Sequence, residues 1–313
     1  MRIDRRRRGY VLLLVIAVMV LLMTALAALS KVSLKRALAA SDARIRLQQR
    51  LGAESLEQVL LNEAAGVFDR LEKAVEESRQ GGVDARVPTQ LRGAVSIGGV
   101  TFDVLLADED AKLNLNTLYH AVGQERTRRA IGEVAGPAVL RSVRLNPALS
   151  PTQPAENPRA RDTESDTELE IPPAFRSWGE VFDLARLSST IGDDAALPNV
   201  TSELTCWAGE GINVKRATDE AFTQTAACVM SQGAAERLVS RYRENPAADL
   251  RILIQTEGAN ERERLALRRL LSESSSHHSL WLDASAVARR SMRSFSVLRK
   301  TEDGTTVNER FAF

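Results

Sequence analysis

Apolar residues along this chain fall into three regimes. Tyr10 to Leu29 contains no charge, and Leu, Val, Ile, Met and Ala dominate, with Thr24 the only small polar residue. Twenty helical residues rise about 30 Å, the thickness of a bilayer's hydrocarbon core, so the stretch predicts a membrane-spanning helix. From residue 30 the apolar residues thin out and become periodic. Leu34, Leu38, Ile45, Leu51, Leu56, Val59, Leu60, Val67, Phe68, Leu71 and Val75 recur at three- and four-residue steps among Arg, Lys, Gln and Glu. That is the stripe of an amphipathic helix. Neither Pro nor Gly occurs between Tyr10 and Leu51. One helix of about 63 Å is therefore expected there. Gly52 and Gly66 are expected to bend or interrupt its continuation, and Gly81-Gly82 to end it.

Beyond residue 90 the period changes to two. Val95-Ser96-Ile97 and Val100 to Leu106 flank Gly98-Gly99, which predicts a hairpin. ADEDAKLNLNTL, residues 107 to 118, reads as an acidic turn followed by a short strand, Leu113 to Asn116. Residues 117 to 146 read as helix. Residues 147 to 174 are rich in Pro, Ser, Thr and acidic residues and predict a mobile surface loop. Helix returns at 175 to 187, short strand-like pieces at 200 to 214, and helices from 217 to 274. Alternation resumes at Leu280 to Ser285, Ser294 to Leu298 and Thr306 to Phe311, with Asp303-Gly304 as a second turn. The early and late strands can share one antiparallel sheet. The fold class is then α+β: a long N-terminal helix and a small sheet with a large all-α insertion. The expected parts are a leader (1–9), a transmembrane helix (10–29), its amphipathic extension (30–82), a sheet domain (83–116 with 278–313) and the insertion (117–277).

Charge places the helix. Arg5 to Arg8 precede the apolar run, whereas only Lys31, Lys35 and Arg36 follow it closely. The four adjacent arginines predict a cytoplasmic N-terminus, with the rest of the chain outside the cytoplasm. Over all 313 residues, 42 basic and 41 acidic residues leave a net charge of +1, which gives no reason to expect a nucleic-acid partner. In an oxidising compartment the only two cysteines, Cys206 and Cys228, predict one disulfide, adding about 3 kcal/mol. Catalytic patterns are missing: there is no G-x-S-x-G, no phosphate-binding Walker loop and no H-E-x-x-H. His120 stands alone, and the adjacent His277 and His278 are expected to be solvated. Asp108, Glu109 and Asp110 have the chemistry to ligate Ca²⁺, but their spacing does not match an EF-hand loop. A solvated acidic turn without cofactor is the expectation, in a protein that is not an enzyme.

Three readings fit the N-terminus: a plain signal anchor, a cleaved secretory signal with Ala25 and Ala27 at its small-residue site, or a prepilin leader. RRRRG|YVLLLVIAV closely resembles the last. The charged leader abuts the apolar run with only Gly9 between, and the helical pattern continues far beyond it. That reading implies cleavage between Gly9 and Tyr10 by a prepilin peptidase and methylation of the new amine.

The leader, the DEDAKLNLNTL stretch and the order of elements together resemble the K-type minor pseudopilins of the type II (general) secretion pathway. A G-x-I-N-V-N-T-A segment of that family is matched by Gly211-Ile212-Asn213-Val214-Lys215-Arg216-Ala217, with departures at Lys215 and Arg216. The fifth residue after the cleavage site is Leu14, where most pilins and pseudopilins have Glu; the K-type family similarly lacks it and is placed at the pseudopilus tip. The resemblance implies a single-pass protein of the bacterial inner membrane with a periplasmic body. Its implied partners are other minor pseudopilins, the inner-membrane secretion platform, the prepilin peptidase and lipid. The alternatives are a minor pilin-like subunit of a type IV pilus or DNA-uptake machine, and a bitopic anchored domain with no filament role.

Overall fold

The structure is a computed structural model that describes residues 5–80, 86–148, 173–191, 196–246, 248–285, 292–300 and 306–312. Helix α1, Arg5–Gln80, is continuous over 76 residues, about 114 Å at the helical rise. No described side chain of α1 is buried before Gln49. Beyond that point Ala53, Leu56, Leu61, Ala64 and Phe68 turn inward. Gly52 does not break the helix: a Cβ there would stand 2.5 Å from Cζ of Phe102, so the glycine admits an aromatic ring against the helix backbone.

Strands β1 (Gln90–Ile97) and β2 (Val100–Asp108) form the hairpin, with φ of +60° at Gly98 and +82° at Gly99. Both central residues of a tight two-residue turn of this kind need positive φ, which glycine adopts without steric cost. A 3₁₀ turn follows at Glu109–Ala111, then β3 (Leu113–Asn114) and α2 (Leu115–Val134). The strand expected to run to Asn116 stops two residues earlier. Asn114 Oδ1 accepts from the backbone N–H groups of Asn116 and Thr117 and so caps α2.

The middle of the chain holds α3 (Trp178–Val181), α4 (Leu184–Ile191), α5 (Ala196–Val200), β4 (Leu204–Thr205), β5 (Ile212–Asn213), α6 (Asp219–Ala226), α7 (Gln232–Glu244), α8 (Leu250–Glu257), α9 (Glu261–Leu270) and β6 (Leu271–Ser272). The helix expected over 175–187 is two short helices, separated where Val143 and Phe182 form an isolated bridge. Most of the Pro-rich segment lies outside the described residues, but its ends meet: Ala148 N donates to Ala174 O at 2.8 Å. The chain closes with β7 (His277–Ser285), β8 (Met292–Lys300) and β9 (Thr306–Ala312). The second expected turn, around Asp303-Gly304, and the helix stop at Gly81-Gly82 also lie outside the described residues.

One five-stranded antiparallel sheet runs β1-β2-β7-β8-β9. The side-chain period of two gives it two faces. Val100, Phe102, Leu106, Leu280, Leu282 and Ala284 pack under α1. Leu105, Ala107, Trp281, Phe295 and Val297 pack under the helical segments. The molecule is therefore layered: α1, sheet, helices. Two small parallel pairs, β3 with β4 and β5 with β6, bind the helical layer to the ends of the sheet strands.

Candidate functional site

Two regions stand out, the exposed stem of α1 and a buried polar junction. Among the described residues, α1 is the one helix long and apolar enough to cross a membrane, and its most apolar stretch is wholly unburied. It fits a single-pass membrane anchor. Tyr10 and Leu14 are exposed on it, and the Gly9–Tyr10 bond lies within the helix. After the apolar run the stem stays uncovered: Leu34, Leu38, Leu47 and Leu51 are all more than half exposed.

The junction lies where α1, the end of β2, the start of β7 and the 206–216 segment meet. Asp108, Glu109 and Asp110 are at most 3% exposed, so the acidic turn is not solvated as its composition suggested. A buried carboxylate requires donors or cations, and each has its own. Asp108 Oδ2 accepts from Arg216 Nη1 at 2.9 Å and Ser275 Oγ at 2.7 Å, and Oδ1 from Asp110 N. Glu109 pairs with Lys112 Nζ at 2.5 Å and accepts from Ser279 Oγ. Asp110 accepts from the backbone N–H groups of Ser276 and His277 at 2.6 and 3.0 Å and from that of Gly209 at 2.9 Å, and it meets His277 Nδ1 at 3.0 Å. Burial works to raise the Asp110 carboxyl, but these hydrogen bonds and the nearby imidazole outweigh it and leave the group below the usual carboxylate range. Asp108 goes the other way, held above that range by burial.

Arg216 is the centre of the arrangement. Its guanidinium bonds Asp108, Asp69 and Glu72, and lies 5.6 Å from the Phe68 ring centroid. Lys215 pairs with Glu72 at 3.1 Å. The two positions that depart from the pseudopilin segment thus tie the helical layer to α1. Sequence reasoning marked them only as departures. The available signal was two adjacent cations in a chain whose α1 carries Asp69 and Glu72 three residues apart, on one helix face. The Asn residues of the matching motifs are braces. Asn114 donates to Ala208 O and Gly209 O, Asn116 to Phe175 O and Cys206 O, and Asn213 to Ser275 Oγ.

His277 and His278 are buried on β7, contrary to the solvated pair the sequence suggested. His278 stacks on Phe68 of α1 at 5.8 Å. Ser276, His277 and Asp110 have the composition of a hydrolytic triad without its geometry: Ser276 Oγ and the Asp110 carboxylate both approach Nδ1. A relay needs the serine on one ring nitrogen and the carboxylate on the other. The three acidic side chains face separate donors. Among the described residues, no three His, Cys, Asp or Glu side chains are arranged to hold a metal ion.

The Cys206–Cys228 bridge is not formed; both are free thiols. Cys206 is buried behind β4, and Cys228 Sγ donates to Gln224 O within the turn that ends α6. Burial raises the thiol pKa values of both, that of Cys228 to about 12. A cleft of about 370 Å³ lies between α1 and the end of α7. Lys215 in it pairs with Glu72, and Arg86 and Arg243 both pair with Asp219, so these three cations are already engaged.

No protein-family model matches the chain, and no curated protein matches it. A solved structure does show similarity: a chain of the GspK-GspI-GspJ complex of the type 2 secretion system from enterotoxigenic Escherichia coli, at 12% identity and a TM-score of 0.43, covering 88% of this chain and 99% of that one. A likeness of that size carries no inference about function.

Proposed function

We propose that the chain is a membrane-anchored pilin-like subunit, specifically a minor pseudopilin at or near the tip of a type II secretion pseudopilus, acting by assembly rather than catalysis. One observation carries this: α1 is unbroken from membrane-sized stem to packed body, yet no described side chain is buried from Tyr10 through Gln48. That is about 58 Å of helix. About half is accounted for by a bilayer. The remainder is a polar and apolar surface that a solitary domain does not need and a helical bundle does. Other minor pseudopilins are its partners there, with the inner-membrane platform at its foot.

Leader and tip follow from named residues. Gly9 is the cleavage residue because a side chain there crowds the scissile bond; glycine also weakens the helix at the bond to be opened, by roughly 0.5–1 kcal/mol relative to alanine. Leu14 stands where shaft subunits carry a carboxylate that costs at least about 2.5 kcal/mol in an apolar bundle unless a neighbour's amine pairs with it. A subunit with nothing above it has no use for that pair. The test is mass spectrometry of the mature N-terminus. A chain beginning at methylated Tyr10, with Gly9→Val left uncut and unassembled, is the expected result. A chain beginning at Met1 or Ala28 rules the reading out.

A further inference from the structure

Among the described residues the sheet ends on one side at β1, and little there protects this edge. Ile97 and Val100 close a two-residue turn, so they form a hydrogen-bonded pair and the alternation runs back through Val95, Gly93 and Leu91. Asp108 N donating to Thr89 O at 3.0 Å continues the same series. The backbone N–H and C=O groups of Arg92, Ala94 and Ser96 therefore point away from β2, and all three residues are exposed. Natural edges are blunted by charge, proline, bulges or cover. The strand QLRGAVSI contains no proline and one charge, Arg92, whose guanidinium is turned to Asn199 Oδ1 at 2.6 Å. Val95 and Ile97 are 39% and 40% exposed. The opposite edge, β9, is different: it carries Glu309 and Arg310, and its Asn308 and Arg310 bond Glu57 of α1.

We propose that β1 receives an extended strand from a different polypeptide, with apolar residues on the face it shares with Val95 and Ile97 and acidic residues beside them. Strand addition is the recognition mode that uses free backbone groups for affinity and alternate side chains for selectivity. The stem selects the partner's charge. The turn at Gly98 lies beside Gln48 of α1, where Arg44, Arg46 and Arg50 are exposed. Residues 30 to 50 hold six Lys or Arg and one Asp. A second copy of this chain would bring two such cationic stems together. An acidic neighbour relieves them, most strongly within the screening length of about 8–10 Å.

The choice of probe rests on the bundle reading: the other pilin-like chains of the same organism, each purified at full length and mixed with this one. Hydrogen exchange is then followed over residues 90–97. In the complex the amides of Arg92, Ala94 and Ser96 are expected to slow by about tenfold or more relative to the free chain. Ala94→Pro removes one outward N–H and leaves the Gly93 and Val95 ladder bonds in place. It is expected to weaken the complex by about tenfold while β2 and β7 keep their protection. Arg44→Glu with Arg46→Glu weakens it through charge alone. A complex that forms with β1 still exchanging freely, or that binds Ala94→Pro as tightly as wild type, overturns this proposal and leaves the bundle reading standing. Slow exchange of these amides in the free chain, or pairing of β1 with a second copy, also overturns it. No complex with any of these chains overturns both readings.

Discussion

His278 is packed between Phe68 and the acidic turn, and its Nε2 has no hydrogen-bond partner among the described residues. Burial lowers its pKa; Asp108 and Asp110 oppose that, while Arg216 and His277 add to it. In the unfolded chain the same imidazole titrates near about 6.5. As pH falls past that value the unfolded state takes up a proton first, so His278 contributes stability that is complete above about 6.5 and is lost as pH drops towards its folded value. Asp108, raised by burial, has the opposite sign: stability falls as pH rises from the ordinary carboxylate value to its folded one. Denaturant unfolding of the full chain between pH 7 and about 5 should show stability falling with pH. His278→Leu should flatten that slope by up to about 1.4 kcal/mol per pH unit. Identical slopes for the two proteins would exclude His278 as the titrating group.

Among the elements, α1 and the helical layer are joined through Arg216, which bonds Asp69 and Glu72 of α1 and Asp108 of β2. Its side chain is 4% exposed and that of Asp108 is 0%, whereas that of Asp69 is 62% exposed and adds little. Replacing one partner of a buried pair strands the other charge. Arg216→Met is therefore expected to cost about 3–5 kcal/mol, with Asp108 left uncompensated. The double variant Arg216→Met, Asp108→Asn should be less destabilised than the sum of its parts, because neither charge then remains alone. Strict additivity in that cycle would mean that the pair does not couple the 206–216 segment to the end of β2. The joint was only half legible beforehand: the acidic turn and the Lys215-Arg216 departure were both visible, but nothing in linear order brings residues 69, 108 and 216 together.

For the whole molecule, the helical segments between β2 and β7 set the bulk of the body. They pack on one face of the sheet while α1 packs on the other, so the body is wide where the stem is thin. In the proposed assembly such bodies at every helical step would collide, whereas one at an end has space above it. Purified full-length protein is accordingly expected not to form homopolymers, and label directed to it in assembled filaments should mark ends. Long filaments of this chain alone, or label spaced along filament sides, would refute the tip placement.

Local signals were enough for several features. Charge-free length gave the exposed apolar start of α1, three- and four-residue spacing gave the rest of it, and Gly98-Gly99 gave the first hairpin, because each depends on residues close in sequence. The α+β class followed from the change of period between them. Other features depended on contacts across the fold. Gly52 looked like a helix breaker and is a seat for Phe102. Asp108, Glu109, Asp110, His277 and His278 looked solvated, as charged and imidazole groups usually are. The carboxylates are buried because Arg216, Ser275, Ser276 and Ser279 arrive from distant parts of the chain, and Lys112 from the same turn, to bond them. A side chain's polarity is written in the sequence, but the cost of burying it is set by its partners, and only the tertiary structure decides who those are.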